Sequence, residues 1–349
     1  MNFERLFSPL TIRGVEFRNR IFSSGHQTLL AEGGLPTEAM AAYHEARARG
    51  GAGLIITEAT AVHETAYFNA ALPTGYLDAC IPGFRAVAQA AHKHDCRIIG
   101  QLFHPGSEIP AKCEDGSRPV PWGPSARHRE RYLVTVRPLP RTLIEDIIEG
   151  YGDTAARMIE AGFDGVEVLA SHGYLPAQFL NPQVNQRDDC YGGSLENRLR
   201  FLNEIYDRVR QKLGGDTVIG LRVSADEKTP LGLTQSEVLD AVAALDRADR
   251  YDYFNVTLGS SDTVGGAAHI VPGMAVETGY VAPFAEALKR RTSRPILVVG
   301  RINQPQEAER ALAEGDVDMV GAVRAFIADH EFATKAKQGR ADEIRTFLN

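Results

Sequence analysis

The sequence predicts a closed (β/α)8 barrel, a TIM barrel, and three observations predict it. Eight short runs rich in apolar and β-branched residues recur along the 349-residue chain. Amphipathic helical stretches separate them. The C-terminal ends of the runs carry a concentrated set of polar residues. Strands apolar at nearly every position are buried on both faces, as in a parallel sheet covered by helices. Their alternation with helices is the pattern of an α/β fold. A doubly wound open sheet is the competing architecture. It usually carries a glycine-rich phosphate turn after its first strand, whereas the segment here reads FSSGHQTLL and not GxGxxG.

The elements follow in order. The segment LFSPLTIRGVEFRN predicts an N-terminal β-hairpin turning at Arg13-Gly14 and plugging the barrel bottom. The eight strands are expected at Arg20–Ser24, Gly53–Ala59, Arg97–Phe103, Gly165–Ala170, Val218–Ser224, Tyr253–Leu258, Pro295–Gly300 and Asp318–Arg324. Apolar spacings of three and four predict helices over Leu143–Ala161, Leu195–Lys212, Gln235–Asp246, Val281–Arg291, Gln304–Glu314 and Ala325–Lys337. Glycine follows two of them, at Ala161-Gly162 and Glu314-Gly315, as helix C-termini often require. The span His104 to Arg141 is long and rich in Pro, Gly and charge. A loop of that length in a compact domain is usually functional, so it is expected to form a lid over the third strand's end. No linker, repeat or low-complexity tract divides residues 1–349, which read as a single domain.

Composition bounds the function. Hydrophobic residues make up 44% and charged residues 24%, ordinary for a globular enzyme. A formal net charge of −7 argues against nucleic acid or an anionic membrane as partner, but allows a small anion in a local basic pocket. The four cysteines, Cys80, Cys96, Cys113 and Cys190, show no CxxC spacing, so neither a disulfide framework nor a zinc site is expected. His26 and His172 lack an HxxxH-type spacing that would support a metal. The start MNFERLFSPL is not a signal peptide, and no apolar run reaches the length of a membrane span. The expected compartment is the cytoplasm.

In barrels of this kind the active site lies at the C-terminal ends of the strands. Those ends collect Ser24, Gly25, His26 and Gln27, then Glu58, Ala59 and Thr60, then Gln101 and His104. Ser171, His172, Tyr174 and Arg222 follow, with Gly300-Arg301 and Gly321-Ala322-Val323-Arg324 last. Buried polar groups need partners, so the set predicts a polar ligand. The last two segments follow strands seven and eight, where barrels commonly bind phosphate. The plainer reading makes Arg301 a helix-leading surface residue. Gln101 and Arg222 suit the edge of a heteroaromatic ring, or else a buried structural network. His172 is either a site residue or a satisfied core histidine, and Tyr174 either catalyses or packs. The charged stretch DDCYGGSLENR reads as structural, with Glu196, Asn197 and Arg198 fixing the loop to the following helix.

The segments LFSPLTIRGVEFRNRI, ITEATAV, IGQLFHPG, WGPS, SHGYLPAQFLNP, YGGSLENRLRF, LRVS, VVGRI and VGAVRAFIADHEF, in this order, resemble the old yellow enzyme family of flavoproteins. The resemblance spans nearly the whole chain. It is greatest to the flavin barrel of the branch holding 2,4-dienoyl-CoA reductase, trimethylamine dehydrogenase and N-demethylases. It implies that Ser24, Gly25 and His26 line an FMN, that Ala59 touches its ring through the backbone, and that Gln101 bonds its pyrimidine side. It implies that His172 lies over the ring, that Arg222 sits near N1 and C2=O, and that Gly300, Arg301, Gly321 and Arg324 cradle the phosphate. Tyr174 matches a tyrosine that donates a proton to substrate in ene reductases. Two positions depart. Leu169 stands where many relatives carry His or Tyr, leaving a two-donor carbonyl clamp incomplete. Gln27 stands where trimethylamine dehydrogenase has a flavin-linked cysteine, so the FMN is expected to be non-covalent. Larger relatives continue past this barrel into a cysteine-rich iron–sulfur segment, and with this sequence stopping at Leu348-Asn349 either a stand-alone barrel or a fragment is expected.

The function expected is FMN-dependent hydride transfer, with NAD(P)H as donor and an activated C=C bond as small-molecule acceptor. Oxidative N-demethylation of a methylated amine is the alternative. A non-redox barrel holding a phosphorylated ligand is the reading from another class. A homo-oligomer and an electron-transfer partner are both compatible with the sequence.

Overall fold

In a computed structural model that describes residues 3–109, 112, 116, 118–129, 131–314 and 317–347, eight parallel strands close on themselves. Cys113, Gly315 and Leu348-Asn349 lie outside the described residues. The chain begins with β1 (Leu10–Ile12) and β2 (Val15–Phe17), paired antiparallel with Leu10 opposite Phe17. Arg13 (φ 45°) and Gly14 (φ 77°) both adopt the left-handed region. That is the twist a two-residue hairpin turn needs, so the expected turn forms where the sequence put it. Ile12 and Phe17 pack with Phe22, Leu54, Ile99, Val218 and Leu297 at one end of the barrel interior, as a plug.

The barrel strands are β3 (Ile21–Ser23), β4 (Leu54–Ala61), β5 (Arg97–Phe103), β9 (Gly165–Ala170), β10 (Val218–Ser224), β11 (Tyr253–Thr257), β12 (Ile296–Val299) and β13 (Met319–Ala322). Closure is made by β13 on β3, with Val320 opposite Ile21 and Ala322 opposite Ser23. An open sheet has no such pairing. A bulge between Ile56 and Ala59 shifts the register of β4 on β5. It carries β4 two residues past its expected end and aims Ala59 at the barrel mouth.

Helices cover the outside. They are α1 (Glu38–Arg49), α2 (Ile81–His92), α3 (Arg141–Glu160), α4 (Leu175–Leu180), α5 (Leu195–Leu213), α6 (Gln235–Arg247), α7 (Val264–Ile270), α8 (Ala282–Lys289), α9 (Pro305–Glu314), α10 (Arg324–Ala328) and α11 (Phe332–Lys337). Thr234 caps α6 in a capping box with Glu237. Two expectations are corrected. The helix expected over Ala325–Lys337 is two helices broken at Asp329. The buried Asp329 carboxylate accepts the backbone N–H groups of Glu331 and Arg345 and pairs with Lys335 at 2.7 Å, which competes with helix continuation.

The second correction concerns the lid. The span after β5 is not bare loop, because it holds a small sheet of β6 (Trp122–Gly123), β7 (Arg127–Arg129) and β8 (Val134–Pro138). Arg129, at 3% exposed, pairs with both Glu108 and Asp262. Arg127 pairs with Asp262 at 2.8 Å. The lid is thereby tied to the segment after β11. The loop 187–198 behaves as a structural element: the Asn197 amide donates to Gly192 O and the Arg198 guanidinium to Leu180 O, at 2.9 and 2.8 Å. Among the described residues no helix is long and apolar enough to cross a membrane.

Candidate active site

A cleft of about 1230 Å³, counting its open mouth, lies at the C-terminal ends of the barrel strands. Gly25, His26, Ala59, Gln101, His172, Tyr174, Arg222, Gly300, Arg301, Gly321 and Arg324 all line it. Of the residues expected to hold the cofactor or act in catalysis, Ser24 lies behind the lining. It is fully buried, with no partner for its hydroxyl.

The cleft has three chemically distinct regions. At one end, Arg301 and Arg324 follow β12 and β13. Their charges act on each other, and neither has a carboxylate partner among the described residues. The Arg301 guanidinium donates to Val276 O. Two mutually repelling, half-buried cations converging on a cleft demand an anion. Gly300 and Gly321 are required on packing grounds, since a Cβ at either would strike Val281 or the Phe22 ring.

The middle region is polar and fixed from below. Arg222 Nη1 donates to Gly25 O at 3.0 Å, while its Nε has no partner. Gly25 must lack a side chain: a Cβ there would sit 2.6 Å from Thr57 O and 3.0 Å from Gln101 Nε2. Gln101 Nε2 donates to Glu167 Oε1 at 2.7 Å inside the barrel. His26 borders this region, but both its ring nitrogens are engaged within the protein. Nδ1 lies 2.9 Å from Ser24 O and Nε2 2.6 Å from the Tyr43 hydroxyl. Nδ1 therefore carries the proton, and Nε2 accepts from Tyr43. Burial lowers the His26 imidazole to about 4.

The third region is a wall of Phe68, Leu72, Phe103, Leu169 and Tyr174. His172 stands between wall and polar floor, held in the left-handed region (φ 62°), with its N–H donating to Ser224 Oγ at 3.0 Å. Burial first, then the Arg222 charge, holds the imidazole well below its usual value, so it is neutral. Its Nδ1 has no partner. Tyr174 precedes α4. Burial pushes its phenol up to about 12 against the opposing hydrogen bond with Ser261, which leaves a protonated donor. No Asp or Glu is among the lining residues.

Other expectations fall differently. His104 is buried away from the cleft, accepting from Gly106 N–H at Nδ1 and bonded to Thr65 Oγ1 at Nε2. Glu58 accepts from Thr28 through both backbone and hydroxyl. Phe68, Phe103, Tyr280 and Glu167 were missed by sequence reasoning. Glu167 had a readable signal, being a charged residue inside a strand buried at every position. Phe68 had none, since it comes from an irregular loop after β4.

The donor set fits FMN. The two arginines without a carboxylate partner among the described residues suit a phosphate, the Gln101 amide and Arg222 suit a pyrimidine edge, and the apolar wall suits a flat ring and its substrate. Comparison with known proteins agrees with this fit. The family described as NADH:flavin oxidoreductase / NADH oxidase matches residues 5–343. The N,N-dimethylglycine/sarcosine dehydrogenase of Chromohalobacter salexigens is 33% identical over 99% of this chain and 50% of its own length. The NADH oxidase of Thermoanaerobacter brockii is 36% identical over 100% of this chain and 53% of its own. A solved 2-naphthoyl-CoA reductase superposes with a TM-score of 0.92 at 28% identity, covering 99% of this chain and 54% of that one. The chain thus spans about half the length of these relatives.

Proposed function

Because the chain belongs to the NADH:flavin oxidoreductase / NADH oxidase family, we propose that it is the FMN-binding barrel of an oxidoreductase that takes hydride from NAD(P)H and reduces an activated C=C bond. Bound, non-covalent FMN supplies the hydride relay between the two small molecules. Arg301 and Arg324, with the backbone after β12 and β13, would hold its phosphate. Gln101 and Arg222 would hold its pyrimidine edge, with Ser24, Gly25, His26 and Ala59 around it. The Arg222 charge favours an electron-rich ring above it.

The observation that carries this reading is the pairing of a neutral His172 with a protonated Tyr174 on one side of the cleft. The His172 ring bonds the Gly259 carbonyl and leaves Nδ1 unpartnered, and it would orient a nicotinamide or substrate group that donates to that nitrogen. Tyr174 holds a proton on its phenol oxygen and would deliver it to the substrate carbon left electron-rich by hydride addition. Phe68, Phe103 and Leu169 keep water from that carbon. Reduction of C=C needs this proton donor, whereas oxidation of an amine does not.

One observation favours a second reading. Leu169 leaves His172 without a second polar partner across the wall, and the apolar surface there suits methyl groups. That geometry is compatible with oxidation of an N-methyl amine, the activity in the name of the dimethylglycine/sarcosine relative. Anaerobic mixing separates the two readings. Bleaching of the flavin absorbance by NAD(P)H, and its return with 2-cyclohexenone, is the expected result. Bleaching by sarcosine or dimethylglycine alone would reverse the assignment. A protein that stays colourless after FMN addition would leave the non-redox phosphate-binding barrel as the answer. The cytoplasmic setting, the single-domain reading of residues 1–349, a homo-oligomer and an electron-transfer partner belong to the same proposal.

A further inference from the structure

We propose that Glu167 is a positioning residue for the ring-binding floor of the cleft: it fixes which way the Gln101 amide faces and supplies the negative charge beneath Arg222. The inference rests on the FMN reading given above. Glu167 sits in the middle of β9, fully buried, in a strand whose residues are all buried. Its Oε1 accepts from Gln101 Nε2 at 2.7 Å. Its Oε2 accepts from the Tyr253 hydroxyl at 3.0 Å and from Asn255 Nδ2 at 2.9 Å.

Two amides and a hydroxyl therefore converge as donors on the two oxygens. A carboxylate accepts only, while a carboxylic acid must donate once. Burial pushes the carboxyl up, and these donors together with the Arg222 charge act against it in favour of the ionised form. Two consequences follow. First, one N–H of Gln101 is committed downward, which leaves the amide oxygen and the second N–H for a ligand. An acceptor there matches the N–H on the pyrimidine side of a flavin. An amide turned over would set its oxygen against the Glu167 carboxylate. Second, the net charge below the ring is that of Arg222 and Glu167 together, not of Arg222 alone. Gly25 closes the arrangement, because its missing side chain is what lets Gln101 lie in this pose.

The test uses Glu167→Gln in the full chain. The glutamine keeps the shape, removes the charge and presents both a donor and an acceptor to Gln101. FMN affinity is read by fluorescence titration of the deflavinated protein, and the midpoint potential of the bound flavin by dye-coupled reduction. The expected result is an FMN dissociation constant raised about tenfold, the scale of one charge-assisted hydrogen bond. The midpoint potential is expected to rise, because a negative charge near the reduced ring has gone. A merely structural role would lower the unfolding midpoint of the deflavinated protein and leave the potential in place, which overturns the proposal. If Glu167→Gln does not fold, Tyr253→Phe removes one donor from Oε2 with little change of volume. It should shift affinity and potential in the same directions by a smaller amount, and unchanged values overturn the proposal. A wild-type protein that takes up no FMN overturns the cofactor reading and this role together. A wild-type protein that binds FMN beside an unaltered Glu167→Gln overturns this role alone.

Discussion

The Phe103 ring lies edge-on to Tyr174, with ring centroids 4.7 Å apart and planes at 86°. Phe68 stands edge-on to both, at 5.8 Å from Phe103 and 6.3 Å from Tyr174. Three rings packed this way hold one another by their quadrupoles as well as by burial. The phenol oxygen is then the one polar point on an apolar wall, aimed by residues from β5, the loop after β4 and the start of α4.

That wall separates packing from catalysis at Tyr174. Tyr174→Phe keeps the ring contacts and removes only the hydroxyl. Alkene reduction should fall about 100-fold or more, the scale of a lost general acid. Flavin reduction by NAD(P)H, followed separately by stopped-flow, should stay within a few-fold of wild type. Equal loss in both half-reactions would mean that the tyrosine acts through structure.

At the other end of the cleft, Arg301→Ala and Arg324→Ala should each weaken FMN binding by about tenfold, the worth of a charge-assisted hydrogen bond to phosphate. The double variant should lose FMN during gel filtration. Riboflavin, which lacks the phosphate, should bind wild type and variants alike. An Arg301→Ala protein with wild-type FMN affinity would return that arginine to the surface role allowed by the sequence.

Acid stability follows from the buried histidines. Burial lowers His26 to about 4, and His44 and His104 to about 3 each. The unfolded chain takes up these protons near 6.5, before the folded chain does. Stability from these groups is therefore full above about 6.5 and is lost as pH falls toward their folded values. Glu108 and Glu227 are pushed up to about 7 by burial, and their contribution runs the other way, weakening as pH rises from 4.5 to 7. The two effects partly offset between 4.5 and 6.5. Below 4.5 the histidines act in the same direction as the depressed carboxyls of Asp189 and Asp329, so the urea midpoint should fall steeply there. His44 is fully buried with both ring nitrogens unpartnered. His44→Leu should flatten the acid limb by one proton's worth, and an unchanged slope would contradict this account.

The lid clamp gives a fourth outcome. Arg129→Ala leaves the Glu108 carboxylate buried, with only the more distant Arg127 at 3.9 Å. Breaking such a pair costs about 3–5 kcal/mol, so the variant should unfold earlier in urea. Limited proteolysis should then cut between residues 118 and 137 before any other site. A wild-type cleavage pattern would show that the small sheet alone holds the lid.

Much of this was legible in the residues. The strand limits at Arg97–Phe103, Gly165–Ala170 and Val218–Ser224 were legible, because short, mainly apolar and β-branched runs between helical stretches mark buried parallel strands. The hairpin at Arg13-Gly14 was legible for the same kind of reason, as was the gathering of Gln101, Arg222, Arg301 and Arg324. Asp329 broke a helix that its neighbours' periodicity extended, since a side chain capturing backbone N–H groups leaves no trace in hydropathy. The sheet in the lid was hidden by its two- to five-residue strands.

The sequence by itself determined the barrel, the order of its strands and the polar residues at their ends, because periodicity and burial are properties of local stretches of chain. Only the tertiary structure decided what those residues do to one another. It turned the Gln101 amide by placing Glu167 beneath it, satisfied His26 through Tyr43, sent His104 away from the cleft, and set Phe68 against Phe103 and Tyr174. Those relations, such as Phe68 against Tyr174, join residues far apart in the chain through hydrogen bonds and ring contacts that depend on distance and angle. No local pattern carries that information, and it is this layer that makes a polar barrel mouth a site fit for a flavin.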